Sequence, residues 1–338
     1  MIDPQTLRRL PKAELHLHLE GAIRPETALD LARRNGVDLG TTDVASLYSY
    51  SDLPGFLAVY TRIAAAIRTP RDFERITYEM LQSCSASGAR HVEFFISPHA
   101  HAGVPFADQW LGIRAGIAAA RIDFGLTALF APGINRELGP VAAEEYLDAC
   151  LALRCDEMAG IGLDYNEAPH PPEPFGPVFA RARAAGLHTA AHAGEGGPAA
   201  FIAGSLDILG AERIDHGYAV MDDPALVARC RAAGTVFTCC PTTTTFTTRH
   251  RNLAAPDHPI RRMREAGLIV TIHSDDPTMF GTTLAEEYGR AQDALGFTAA
   301  DIRASILAGL AASWLPAADR ARLAADWSAE LDARLDLA

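Results

Sequence analysis

What this chain lacks narrows its identity first. Lys12 is its only lysine, and the remaining positive charge is arginine. With the abundant alanine, this reads as coding bias rather than function. The net charge of −12 and the absence of a basic stripe argue against a nucleic-acid backbone as partner, since like charges repel. No apolar run is long enough to span a bilayer, which argues against a membrane role. The first residues, Met1-Ile2-Asp3-Pro4, lack the basic and apolar regions of a secretory signal, so a cytoplasmic protein is expected. The six cysteines (Cys84, Cys150, Cys155, Cys230, Cys239, Cys240) form no CxxC and no regular framework. In a cytosolic chain they are expected reduced and mostly buried. No Pro/Ser linker is long enough to divide the chain, so residues 1–338 are read as one domain. A hydrophobic fraction of 49% suffices for its core.

What is present begins with Glu14-Leu15-His16-Leu17-His18-Leu19-Glu20-Gly21. Side chains of a strand alternate between faces, so His16 and His18 point one way and the leucines the other. Two imidazoles on one face can converge on a divalent metal; zinc suits nitrogen ligands, and a catalytic zinc keeps a position open for water. Strands are predicted at 14–21, 91–97, 124–130, 160–164, 188–192, 213–216, 235–239 and 268–274, separated by helical segments. Eight strands alternating with helices imply parallel βα units and one α/β fold, a (β/α)8 TIM-type barrel. Helical periodicity over 47–87 predicts an extra helical insertion after the first strand, where a lid over the site would sit.

Barrels carry their chemistry at the carboxyl ends of the strands. Here those ends hold His16 and His18, His192-Ala193-Gly194-Glu195, His216-Gly217 and Ser274-Asp275-Asp276-Pro277. Ionisable side chains are costly to bury without partners, so their accumulation on one rim marks a site. Each also has a bland reading. Glu195 suits a helix N-terminus, the two aspartates suit a turn before Pro277, and His192 and His216 suit core or loop positions. His170, His250 and His258 are read as loop residues, and His188 lies at the wrong end of its strand. His91, His99, His101 and His273 are read as structural. The adjacent pair Cys239-Cys240 matches no zinc signature.

Taken in order, Pro-Lys-Ala-Glu-Leu-His-Leu-His-Leu-Glu-Gly (11–21), His-Ala-Gly-Glu (192–195), Arg-Ile-Asp-His-Gly-Tyr (213–218), Cys-Pro (240–241) and Ser-Asp-Asp-Pro (274–277) resemble the adenosine deaminase family over nearly the whole chain. The resemblance implies a zinc-bearing amidohydrolase barrel. It implies His16, His18, His192 and Asp275 as ligands of one Zn2+, Glu195 as proton donor, His216 beside the attacking water, and Asp276 on the purine.

The chemistry has its own logic. Zinc lowers the pKa of its water to about 7, and His216 and Asp275 can orient that water and take its proton. An aminated heteroaromatic carbon resists attack until a ring nitrogen is protonated, which Glu195 can do if its pKa is raised. Asp276 can hold the opposite ring nitrogen, and ammonia leaves. The H-x-E and P-C-x-x-C signature of cytidine deaminases is absent. A binuclear amidohydrolase resembling dihydroorotase uses a carboxylated lysine on a middle strand, and Lys12 lies before the first. A zinc-stabilised binding protein would not need Glu195, His216 and Asp276 beside a full ligand set.

For the substrate the motifs diverge. Glu20 stands where adenosine-specific members have an aspartate near the ribose, as in adenine-type relatives. Tyr165 replaces a pocket glycine, and Thr242 to Thr245 replace a serine-containing segment. Residues 275–283 look nucleoside-like. The expected substrate is adenosine or a modified adenine nucleoside, with Glu20 and Tyr165 as binding residues. Adenine, an N6-substituted adenine and aminodeoxyfutalosine are the alternatives.

Overall fold

A computed structural model describes residues 1–50 and 53–337. Its strands are β1 (Lys12–Glu14), β2 (Ala89–Ile96), β3 (Thr127–Asn135), β4 (Gly160–Asp164), β5 (His188–Ala193), β6 (Arg213–His216), β7 (Val236–Cys239) and β8 (Ile269–Ile272). They lie side by side in sequence order, each pair parallel. Between β8 and β1 the barrel closes beyond the regular strands. The His18 N–H donates to Asp275 O at 2.8 Å and the Asp275 N–H to His16 O at 2.9 Å. This is the expected (β/α)8 barrel.

The core has two parts. Apolar strand residues facing outward meet the surrounding helices in one large cluster. Inside the barrel, Phe95 packs with Ala131, Ala190 and Trp314, and Gly162 makes room, since a Cβ there would stand 2.7 Å from the Phe95 ring. Deeper in the barrel Arg213 pairs with Glu93 and stacks on Trp314 at 3.9 Å. Burying that charge is tolerable because it is both paired and stacked.

Several expected boundaries move, for physical reasons. The expected strand at 14–21 is regular only over Lys12–Glu14. The His-Leu-His stretch continues as isolated bridges, Leu17 to Asp275 and His18 to Phe95. Phe124 ends the helix Phe106–Phe124, and Gly125 stops it at φ 68°, a conformation open to glycine. β3 then runs to Asn135 through Pro132, where it finishes pairing with β2 and takes up β4 at Gly133. A short helix after β7, Pro241–Thr247, has no apolar period to announce it.

Of the expected insertion, residues 51 and 52 lie outside the described ones. The helix Pro70–Ala86 is no lid. It packs beside the barrel on Phe106–Phe124, so closely that a Cβ on Gly112 would meet Pro70 O at 2.1 Å. Of the expected insertion, the helix Leu53–Ala64 belongs to the roof over the barrel mouth, where its Phe56, Leu57 and Tyr60 line the cavity. There Phe280 stacks between Phe56 and Phe246, with ring centroids 5.0 and 4.9 Å apart. Among the described residues no helix is long and apolar enough to cross a membrane. The six cysteines are unbridged, and all but Cys155 are buried.

Candidate active site

The stretch from His16 to Leu19 is wedged between the ends of β2 and β8, which fixes both imidazoles over the barrel axis. His16 Nε2 and His18 Nε2 lie 3.1 and 3.2 Å from His192 Nε2, at the end of β5. Asp275 Oδ1, just past β8, lies 3.4 and 3.3 Å from the same two nitrogens. Ligand atoms in a tetrahedral zinc shell stand roughly 3.3 Å apart at ordinary bond lengths, so these four atoms fit one metal ion. A second grouping, His16 with His216, Cys240 and Asp275, is also compact. It fits less well: Cys240 Sγ faces the other ring nitrogen of His16, at 3.5 Å. Burial also pushes its thiol far up, away from the thiolate a metal needs.

Two outer groups aim the rings. His16 Nδ1 lies 3.2 Å from Thr238 O and 3.1 Å from Thr238 Oγ1. Thr238 Oγ1 donates to Asp215 Oδ1 at 2.6 Å, and Asp215 Oδ2 is 3.5 Å from His192 Nδ1. Occupying Nδ1 of His16 from behind leaves its Nε2 directed inward, and Asp215 places a negative charge behind His192. The electrostatics favour a cation there. Burial opposes the charged form of His16, yet the Asp275 and Asp215 carboxylates outweigh it and raise His16 to about 9. Burial, and then the charge of His16, hold His192 and His216 well below the ordinary histidine range.

Beside this cluster stand three more acid–base groups. Glu195 Oε1 accepts from the Thr247 hydroxyl, and Oε2 lies 3.7 Å from His216 Nε2. Burial, and next the charge of Asp275, push its carboxyl up to about 7. His216 Nε2 is 3.9 Å from Asp275 Oδ2, while its Nδ1 is 3.2 Å from the Tyr218 hydroxyl. Asp276 is pushed well above the carboxylate range by burial and by Asp275. Its Oδ1 has no hydrogen-bond partner among the described residues and rests on Gly21, where a Cβ would stand only 1.8 Å away. Tyr165, His216 and Asp275, all in the left-handed region (φ 69°, 67° and 62°), leave β4, β6 and β8 at the cavity. Such conformations cost free energy in non-glycine residues and cluster at functional sites.

The cavity is lined by residues of all these exits together with Phe56, Leu57 and Tyr60 of the roof. It brings together His18, His192, Glu195, His216, Asp275, Asp276 and Tyr165, with His16 buried against them. Glu20 is not brought in. It lies fully buried behind the wall, where its carboxylate accepts from Ser97 N at 2.9 Å and Tyr60 Oη at 3.1 Å and pairs with His101 Nε2 at 2.8 Å. Sequence reasoning missed Asp215, Glu167, Asp164 and Thr247. Asp215 stood in a quoted motif, whereas the other three sit in stretches with no spacing signal.

The adenosine deaminase family model matches residues 11–329. The chain belongs to the adenosine deaminase family. It is 40% identical over 334 residues to an adenine deaminase of Cupriavidus taiwanensis, covering 96% of this chain and 94% of that one. Two solved structures superpose with TM-scores of 0.90 at 36% identity. One is an adenine deaminase of Arthrobacter aurescens (95% and 98% of the two chains). The other is an amidohydrolase of Burkholderia ambifaria with bound zinc (99% and 94%).

Proposed function

We propose that the chain hydrolyses the amino group from a 6-aminopurine, giving the 6-oxopurine and ammonia, and that free adenine is preferred. The observation that carries the reaction is the pair of carboxyl groups, Glu195 and Asp276, both held above their ordinary range and both lining the cavity that the four candidate ligand residues His16, His18, His192 and Asp275 adjoin. The nucleoside preference expected from sequence gives way. The Cupriavidus and Arthrobacter proteins are both adenine deaminases, and Glu20 is fully buried on Ser97, His101 and Tyr60 and does not line the cavity where a ribose would lie. Residues 275–283 look nucleoside-like, but Met279 and Phe280 serve the roof: Tyr50 donates to Met279 O and Phe280 stacks with Phe56.

His16, His18, His192 and Asp275 would hold one zinc, which supplies Lewis acidity and a readily ionised water. Lys12 cannot bridge a second metal, because its amine donates to Leu10 O and Ser87 O, each at 2.9 Å, at the far end of β1. Glu195, protonated near neutrality, delivers a proton to the ring nitrogen beside the amine-bearing carbon, and the ring then accepts an oxygen nucleophile. His216, kept neutral, orients the attacking water and accepts its proton. Asp276 grips the ring nitrogen on the other side. His216 passes the water's proton to the departing amine as the C–N bond breaks, and the hydroxyl proton of the new C–O bond goes back to Glu195 as the carbonyl forms, while the ring nitrogen keeps the proton Glu195 gave it.

Ammonia release from adenine, adenosine and 5′-modified adenine nucleosides at equal concentration tests this. Adenine should be fastest, and Glu195→Gln should keep its zinc while turnover falls by a factor on the order of hundreds. Faster release from adenosine overturns the preference for the free base. Cleavage of a simple amide with no ammonia from any purine overturns the reaction.

A further inference from the structure

One buried carboxylate in the cavity wall, Glu167, has both oxygens held by a single turn. Glu167 is 4% exposed, and four consecutive backbone amides converge on it. Gly194 N donates to Oε1 at 2.5 Å; Glu195 N, Gly196 N and Gly197 N donate to Oε2 at 3.0, 3.0 and 2.9 Å. An ionised carboxylate accepts only, and three of the four donors crowd onto Oε2 while Gly194 N alone meets Oε1. Hydrogen bonds to a charged acceptor are roughly twice as strong as neutral ones. The fit is close, since a Cβ on Gly197 would stand 2.6 Å from Glu167 Oε1.

Glu167 is itself held. Tyr165 turns the chain as it leaves β4 (φ 69°), and the Asn166 N–H is tied to Glu137 Oε1 at 3.1 Å. Buried Arg136 binds the same two strand exits with the opposite polarity, donating to Asp164 O at 3.0 Å and His192 O at 2.5 Å. A cation thus grips the carbonyls that end β4 and β5, and an anion grips the amides that follow β5. The turn so fixed carries Glu195.

We infer that Glu167 is a positioning residue that holds Glu195 in register for proton delivery, an inference resting on the proposed role of Glu195. With both oxygens occupied by amides, Glu167 acts through the turn and not on the substrate. Misplacing a reacting group by about an ångström costs on the order of a hundredfold in rate.

A double-mutant cycle tests this. Glu167→Gln keeps the volume but sets an NH2 against backbone N–H groups. It should lower kcat for adenine by about 10- to 100-fold, with KM within about threefold and zinc content unchanged. In the Glu195→Gln background the same substitution should change kcat by less than about twofold, because the group it positions is already gone. Losses that multiply in the double variant overturn the inference, as does near-normal kcat for Glu167→Gln beside an inactive Glu195→Gln. Near-normal turnover of Glu195→Gln alone overturns the proton-donor reading and this inference with it. If Glu167→Gln does not fold, Glu167→Asp, which keeps the charge but withdraws it by one methylene, enters the same cycle with the same deciding outcomes.

Discussion

Three carboxyl groups lining one cavity, Asp275, Asp276 and Glu195, and a fourth buried behind its wall, Glu20, are tuned apart by their surroundings. Burial works against ionisation of Asp275, but the charge and hydrogen bond of His16 outweigh it and hold Asp275 well below the carboxylate range. Glu20 is likewise lowered despite burial, by His101 and by the Ser97 amide. Asp276 and Glu195 have no comparable partners among the described residues and are raised. Pairs of titratable groups pushed apart in this way mark acid and base assignments. The sign of the pH dependence follows. Glu195, raised to about 7, carries its proton below that pH and loses it above. His216, held well below its ordinary value, stays neutral over the same span. Thus kcat/KM for adenine should fall toward tenfold per unit as pH rises past about 7. A pH–rate profile measured from about 5 to about 9.5 checks this; a flat line through about 9 would remove Glu195 as the donor.

At the scale of elements, the roof is where rigidity should meet affinity. Phe280, on the segment after β8, stacks on Phe56 from the helix Leu53–Ala64 and on Phe246 from the helix Pro241–Thr247. Each aromatic pair contributes about 0.5–1.5 kcal/mol beyond its buried area. Phe280→Ala removes both, so the roof should spend more time open. KM for adenine should rise by about tenfold, the equivalent of about 1.4 kcal/mol, while kcat changes little; steady-state kinetics of the variant decide it. The strand order and most helices were legible in the sequence because parallel strands buried on both faces read as short apolar runs between amphipathic helices. The alternation at 15–19 also assigned the faces rightly: Leu15, Leu17 and Leu19 pack in the core while both imidazoles turn inward. It did not show that the regular ladder stops at Glu14, since that depends on how β8 approaches. Nor did it separate the helix Pro70–Ala86, amphipathic because it covers the barrel wall, from the roof helix before it. Asp275, Glu195 and His216 were visible through short motifs. Glu167 and Thr247 were not, because their partners lie 27 to 30 and 52 residues away.

Across the whole molecule, the proposed metal would act as a fastener as well as a reagent. His16 and His18 follow β1, His192 lies in β5 and Asp275 follows β8, so the ligand set crosses the β8–β1 seam and reaches the opposite wall. That seam is joined above the strands by the paired bonds between Asp275 and the His16–His18 stretch, not by a continuous ladder. An ion bound there in the folded state alone adds about 4 kcal/mol at roughly a thousandfold excess over its Kd. Removing it should also leave the Asp275 and Asp215 carboxylates to be balanced by the imidazoles alone, His16 first among them. Stripping the protein with a chelator should therefore lower Tm by several degrees and abolish activity, and one equivalent of zinc should restore both. His16→Ala should show a lowered Tm that no longer responds to chelator or to zinc, because the fastener is already missing. Thermal melts with metal analysis on both proteins read this out. An unchanged Tm in wild-type protein shown to be metal-free would mean that the seam holds without the ion.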